Sequence, residues 1–379
     1  MKQIPPSRSA HHGTKFSATV GSLFALAVAM AGPVVSHAQA PADRNVVYGM
    51  YSGLALLLDV YRPEKPNGFG VIHVKGSGWQ AGGPGYGAPQ LKRGAGGSAE
   101  VSALVEAGYT VFSVNHRGSA HFPYPAAVED VQRAVRFIRH NAREYGIDAG
   151  RIGAIGGSSG GHLVSMLGVL DGAGDAGSSD PVEQESAKIQ TVVARATPAD
   201  LRLMPQVPQV VSFVGMPMDE SPASPANRRY LEVSPFTYVS PDDPPFLLVH
   251  GEADATVPFT QSEFFVHVLR EAGVEVKLVR IAGGTHGPTF GDPERATLYG
   301  RESVQWFNSH LPHARPAGRP VPVAREAASE AGDAPLDRRK ASEIRQKAAS
   351  GQTLTPEEKA YLDRFMAARG GAKGKGSKQ

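Results

Sequence analysis

The 379 residues include no cysteine, which removes disulfides, zinc–thiolate and iron–sulfur sites and any thiol nucleophile. Chemistry must therefore use oxygen, nitrogen or a bound cofactor. A charge excess is lacking too, since 39 Lys and Arg face 36 Asp and Glu, for a net +3. With 20% charged and 41% hydrophobic residues the chain can bury a large core, which excludes a wholly disordered or fibrous protein.

The small net charge is a sum over unlike segments. Residues 1–40 carry Lys2, Arg8 and Lys15 and no acid, followed by an apolar run whose centre, residues 20–31, falls short of the roughly 20 residues a membrane span needs. Ala38-Gln39-Ala40 has the small-x-small form of a signal peptidase site, so residues 1–40 are expected to be a cleaved leader of an exported protein, periplasmic or secreted, with no stable membrane span after processing. Residues 314–379 hold 14 basic and 8 acidic side chains, with Tyr361 and Phe365 as the aromatics. Such a segment has little apolar surface to offset ordering entropy and is expected to be a basic, mostly disordered tail, with an acidic surface as its candidate partner. Within it, Thr355-Pro356-Glu357-Glu358 reads as a capping box opening a short helix near 355–369.

Residues 41–313 keep 22 basic and 28 acidic side chains. An acidic body argues against nucleic-acid binding, because phosphate contacts need clustered Lys and Arg. Strand signals at 56–61, 71–74, 110–114, 151–155, 246–249 and 274–278 alternate with helix signals at 126–144 and 261–272. In the first helix Val128, Val131, Val135 and Ile138 share one face. This alternation predicts an α/β class with a mostly parallel sheet, whose reactive groups belong at the carboxyl ends of strands.

After the strand at 151–155 stands Gly156-Gly157-Ser158-Ser159-Gly160-Gly161-His162, a G-x-S-x-G elbow running into a helix. Two registers fit, because Gly157-x-Ser159-x-Gly161 also matches. Ser158 is preferred: it leaves Ser159 to offer a backbone N–H to an oxyanion and lets Gly160-Gly161 open the helix. A lone serine is a poor nucleophile, so a base and an orienting acid are needed downstream. Asp254 follows the strand at 246–249 in His250-Gly251-Glu252-Ala253-Asp254, and His286 lies in Gly283-Gly284-Thr285-His286-Gly287. The expected roles are Ser158 as nucleophile, His286 as general base then acid, and Asp254 as the group fixing the imidazole tautomer. The loop Lys75-Gly76-Ser77-Gly78-Trp79 follows the strand at 71–74, and its amides at Ser77 and Gly78, with Ser159, are the expected oxyanion hole. Nothing in this scheme calls for a metal or a cofactor.

Residues from about 46 to 311 resemble the α/β-hydrolase fold, and most of all the carboxylesterases around hormone-sensitive-lipase-like enzymes and the bacterial bifunctional feruloyl and acetyl-xylan esterases. The likeness is carried by Leu58-Asp59-Val60-Tyr61-Arg62-Pro63, Asn115-His116-Arg117, Phe122-Pro123-Tyr124-Pro125 and Tyr145-Gly146-Ile147-Asp148. It implies helices on both faces of the sheet, a short cap, and ester hydrolysis through an acyl-enzyme without a cofactor. The implied substrates are small-molecule or polysaccharide-linked esters with small or aromatic acyl groups, acetyl and feruloyl among them. Rival readings are amide or peptide cleavage of the arylformamidase or prolyl-oligopeptidase kind, and a non-catalytic binding protein.

Two departures stand out. That family usually has His-Gly-Gly-Gly-Trp where this chain has Lys75-Gly76-Ser77-Gly78-Trp79, and a positive φ at Ser77 would carry a strain glycine avoids. A tyrosine commonly stands where this chain has His116, and local bonding is expected for it as for His121 and His162. The stretch 201–230 is expected to form the cap, with Leu203, Met204, Phe213, Met216 and Met218 either lining an acyl pocket or packing in the core. Trp79, Met204 and Phe213 are the candidates for substrate contact.

Overall fold

The computed structural model describes residues 40–80, 92, 94–219, 221, 223–313, 344, 347 and 353–361. The expected leader, Ala40 apart, lies outside the described residues, as does most of the tail. Within the tail residues 356–361 are helical. There Thr355 donates its N–H to Glu358 Oε2 at 2.8 Å and the Glu358 N–H donates to Thr355 Oγ1 at 3.2 Å, the two bonds of a capping box.

Eight strands form one sheet: β1 (Asp43–Tyr51), β2 (Leu54–Tyr61), β3 (Gly70–Val74), β4 (Thr110–Val114), β5 (Ile152–Gly157), β6 (Thr191–Arg195), β7 (Phe246–Gly251) and β8 (Val276–Ile281). The order is β1-β2-β4-β3-β5-β6-β7-β8. β1 and β2 are antiparallel to their neighbours, and every pairing from β4 to β8 is parallel.

Strands β3 to β7 are buried on both faces, so consecutive apolar residues serve two cores. Ile72, Val74, Ala154, Val192, Ala194, Phe246 and Leu248 enter one cluster. Their neighbours Val71, Ile155, Val193, Leu247 and Val249 enter the other. The helices that cover the first are α2 (Ala126–His140), α4 (Ser159–Val169), α5 (Pro208–Val214), α6 (Pro225–Glu232) and α7 (Thr260–Glu271), with the short α3 (Ala142–Tyr145) extending α2. The second lies under α1 (Ala99–Glu106) and α8 (Pro293–His310). Helices on both faces of a mostly parallel sheet are the architecture expected from the sequence.

Strand β1 was not predicted. Its register shifts between Asp43 and Val46 and again between Val47 and Gly49, so its outward and inward residues do not alternate and leave Val47, Met50 and Tyr51 exposed. The segment between β6 and β7 supplies α5, α6 and two 3-10 turns, Leu201–Leu203 and Pro235–Tyr238, in the place where a short cap was expected. Among the described residues no helix is long and apolar enough to cross a membrane.

Candidate active site

Ser158 sits between the end of β5 and the start of α4 with φ 55° and ψ −126°. An L-residue persists there only when its surroundings over-determine the conformation. Two bonds do so: the Ser158 N–H donates to the Arg195 carbonyl at 2.7 Å, and the Ser158 carbonyl accepts from the His162 N–H at 2.9 Å. The turn lifts the hydroxyl to the carboxyl edge of the sheet, where the loops after β7 and β8 also converge.

His286 comes from the loop after β8. Its Nε2 lies 3.0 Å from Ser158 Oγ and its Nδ1 2.7 Å from Asp254 Oδ2. A carboxylate only accepts, so Nδ1 carries the proton and Nε2 is free to accept from the serine hydroxyl. Asp254, in the loop after β7, accepts at Oδ1 from the amides of Thr256 at 2.8 Å and Val257 at 2.9 Å. Burial alone would raise its carboxyl, but the bonds from His250, His286 and the two amides outweigh it and hold the group well below the usual carboxylate range. The acid is thereby held in its ionised form. The structure thus brings the three side chains together in a chain, with His286 in contact with both Ser158 and Asp254. The geometry also separates the two serines, because Ser159 Oγ accepts the Ser77 N–H at 2.9 Å.

The oxyanion loop differs from expectation in two respects. Ser77 does not adopt a positive φ; Gly78 (66°) and Trp79 (58°) do, the glycine without strain, so the strain falls on Trp79, two residues later. The Ser77 amide, expected to point at an oxyanion, is occupied by Ser159 Oγ, while the Ser77 hydroxyl is buried without a partner among the described residues.

Met204 and Phe213 pack in the core, at 6% and 0% exposed, and Trp79, expected to contact substrate, is buried beside them at 3%. Trp79 stacks on Phe213 with centroids 4.7 Å apart and planes 10° from parallel. Its Nε1–H donates to His162 Nδ1 at 3.1 Å, and His162 Nε2–H donates to the Val233 carbonyl at 2.6 Å. That tautomer is neutral, and burial pushes the His162 pKa down to about 4 although the carbonyl bond pulls it up. His162 is thus the bracket that fixes the oxyanion loop to α4 and the end of α6. Leu203 and Met216 are exposed, and Met218 is partly buried against the core. His116 is buried, with Nδ1–H donating to the Arg117 carbonyl at 2.8 Å. His121 is exposed.

Sequence reasoning missed His250. Buried between Ser262 Oγ at 2.7 Å and the Val257 carbonyl at 3.0 Å, it also places Nε2 3.2 Å from Asp254 Oδ2. Its signal was present as a histidine four residues before the acid. Among the described residues no group of three His, Cys, Asp or Glu gathers as metal ligands do.

The model of the BD-FAE family matches residues 58–269, more than half of the chain. The chain belongs to the BD-FAE family. The matched span includes Ser158 and Asp254 and stops before His286. Two proteins of Mycobacterium tuberculosis are similar to this BD-FAE chain. The probable carboxylic ester hydrolase LipM is 29% identical over 60% of this chain and 52% of its own length, and the esterase LipQ is 31% identical over 64% and 55%. The chain thus spans a little over half the length of these relatives. A truncated carbohydrate esterase from gut microbiota has a similar solved structure, with TM-score 0.61 and 28% identity over 73% of this chain and 98% of that one.

Proposed function

We propose that this BD-FAE protein is a serine carboxylesterase working through an acyl-enzyme. The observation that carries the reading is His286 bridging Ser158 Oγ at 3.0 Å and Asp254 Oδ2 at 2.7 Å. Ser158 Oγ attacks the ester carbonyl carbon as its proton passes to His286 Nε2, and ionised Asp254 stabilises the resulting imidazolium. The tetrahedral oxyanion meets the amides of Gly78 and Ser159, with the Ser77 amide as third donor once it leaves Ser159 Oγ. Collapse breaks the ester C–O bond, His286 returns the proton to the departing alcohol, and water repeats the sequence to release the acid and restore Ser158.

The proposed substrates are small or aromatic esters, with acetyl and feruloyl groups on polysaccharide as the specific class. The similarity to a carbohydrate esterase supports that choice. On the same footing we propose export through residues 1–40, for which mass spectrometry of the mature protein should find Pro41 at its N-terminus, and attachment of the basic tail to an acidic surface.

The deciding experiment labels the full chain with a fluorophosphonate and measures hydrolysis of p-nitrophenyl acetate beside feruloyl and acetyl polysaccharide esters. Wild type should label and turn over, and Ser158→Ala should do neither. A wild-type chain silent in both assays ends the esterase reading, and one that cleaves only aryl amides replaces it with amidase chemistry.

A further inference from the structure

Beneath the nucleophile turn lies a buried ion cluster that the proposed chemistry does not use. Arg195, the last residue of β6, is 5% exposed, and its Nε and Nη1 are buried without a hydrogen-bond partner among the described residues. Glu100 of α1, 7% exposed, interacts electrostatically with it, and its Oε2 also has no hydrogen-bond partner among the described residues. The Tyr299 hydroxyl of α8 bonds to the guanidinium. His73 of β3 completes the cluster, with Nδ1 3.0 Å from Ser113 Oγ and Nε2 3.8 Å from Glu100 Oε1.

A buried arginine with two orphaned donors opposes stability, and well-packed apolar residues of similar volume are often neutral or stabilising in its place. What it touches explains its position. Its carbonyl accepts the Ser158 N–H at 2.7 Å. Its guanidinium fills the space beside Gly157, where a β-carbon would overlap Nη2. The guanidinium also lies over the Phe290 ring, 5.8 Å to the centroid. Phe290 belongs to the histidine loop: its carbonyl accepts the Thr285 N–H at 3.1 Å, one residue before His286. One side chain thus touches both the strained serine turn and the loop that carries the base.

We propose that Arg195 is a positioning residue that sets the distance between Ser158 and His286, retained at the expense of stability. The inference rests on the serine-hydrolase reading of the same site. A structural filler would behave oppositely, since replacing it would lower the melting temperature and leave turnover per folded molecule unchanged.

The test compares wild type with Arg195→Met/Glu100→Gln, both as full chains, by melting temperature, kcat and KM on p-nitrophenyl acetate, and rate of fluorophosphonate labelling. The double variant should melt at or above wild type, and its kcat and labelling rate should fall together by about 10- to 100-fold with KM within about threefold. A kcat within about twofold of wild type overturns the proposal whatever the melting temperature. Should the double variant fail to fold, Arg195→Lys decides: it keeps the charge but loses the planar group that meets Gly157 and Phe290. A reduced kcat with KM unchanged then supports the proposal, and full kcat overturns it. A wild-type chain that neither labels nor turns over defeats the hydrolase reading and this inference with it, whereas turnover shared by wild type and variants defeats the inference alone.

Discussion

His250 and His286 share one acceptor, Asp254 Oδ2, at 3.2 Å and 2.7 Å. His250 is fully buried and held at its other nitrogen by Ser262, so its direction is fixed by packing, and it in turn fixes the carboxylate. Removing it leaves Asp254 with the two amides on Oδ1 and only His286 on Oδ2. His250→Ala is expected to lower kcat on a p-nitrophenyl ester by about tenfold with little change in KM, because the imidazole is then less firmly oriented. Steady-state kinetics on folded protein check this, and an unchanged kcat would show that the amides suffice.

The adjacent serines should separate cleanly. Ser158 Oγ faces His286, whereas Ser159 Oγ takes the Ser77 amide. Ser158→Ala should lose at least about 10⁴-fold in kcat, and Ser159→Ala should still label with a fluorophosphonate. Labelling that survives in Ser158→Ala and disappears in Ser159→Ala would reverse the assignment. Ser77→Ala should label as well and gain about 1 kcal/mol in stability, since the hydroxyl it removes is buried without a partner. Denaturant unfolding reads that gain directly.

His162 gives the fold a pH dependence. Its pKa is about 4 when folded against an ordinary 6.5. Between those values the unfolded chain binds a proton that the folded chain does not, so stability rises with pH across that window and is lost as pH falls from 6.5 towards 4. The full shift corresponds to about 3 kcal/mol. Buried His116, also lowered, acts in the same direction. Glutamine can accept from Trp79 and donate to Val233 without titrating, so His162→Gln should flatten the slope of unfolding free energy against pH in this window. A slope equal to wild type would place the titration elsewhere.

Strands β3, β5 and β7 and the order Ser158, Asp254, His286 were legible because each lies where a short apolar run gives way to a glycine-rich loop. β6 has no such boundary: polar Lys188 and Gln190 precede it and Arg195 ends it, so nothing marked it as the strand supporting Ser158. The role of His250 was unreadable for another reason, because it exists only when Ser262 and Val257 close around the ring. Trp79 in a glycine-rich loop was expected as a pocket wall. The bond to His162 and the stack on Phe213 bury it, and both partners are distant in sequence.

Gly76 is where the oxyanion loop meets the nucleophile turn. A β-carbon there would overlap the Gly157 carbonyl oxygen and lie 2.9 Å from Ser158 Cβ. The first obstacle is backbone and cannot rotate away, so either the loop or the turn must shift. Such a shift moves the amides of Ser77 and Gly78 relative to Ser158 Oγ, and a displaced oxyanion donor acts on the transition state more than on substrate binding. Gly76→Ala is therefore expected to lower kcat by about 100-fold while KM changes by less than about threefold. The variant should remain folded, because the β3 hydrogen bonds to β4 and β5 pair residues 70–74 and end before the substituted position. Kinetics and circular dichroism on the same sample test both halves: wild-type kcat would remove Gly76 from the route by which the two segments are aligned, and a lost fold would make it a structural glycine.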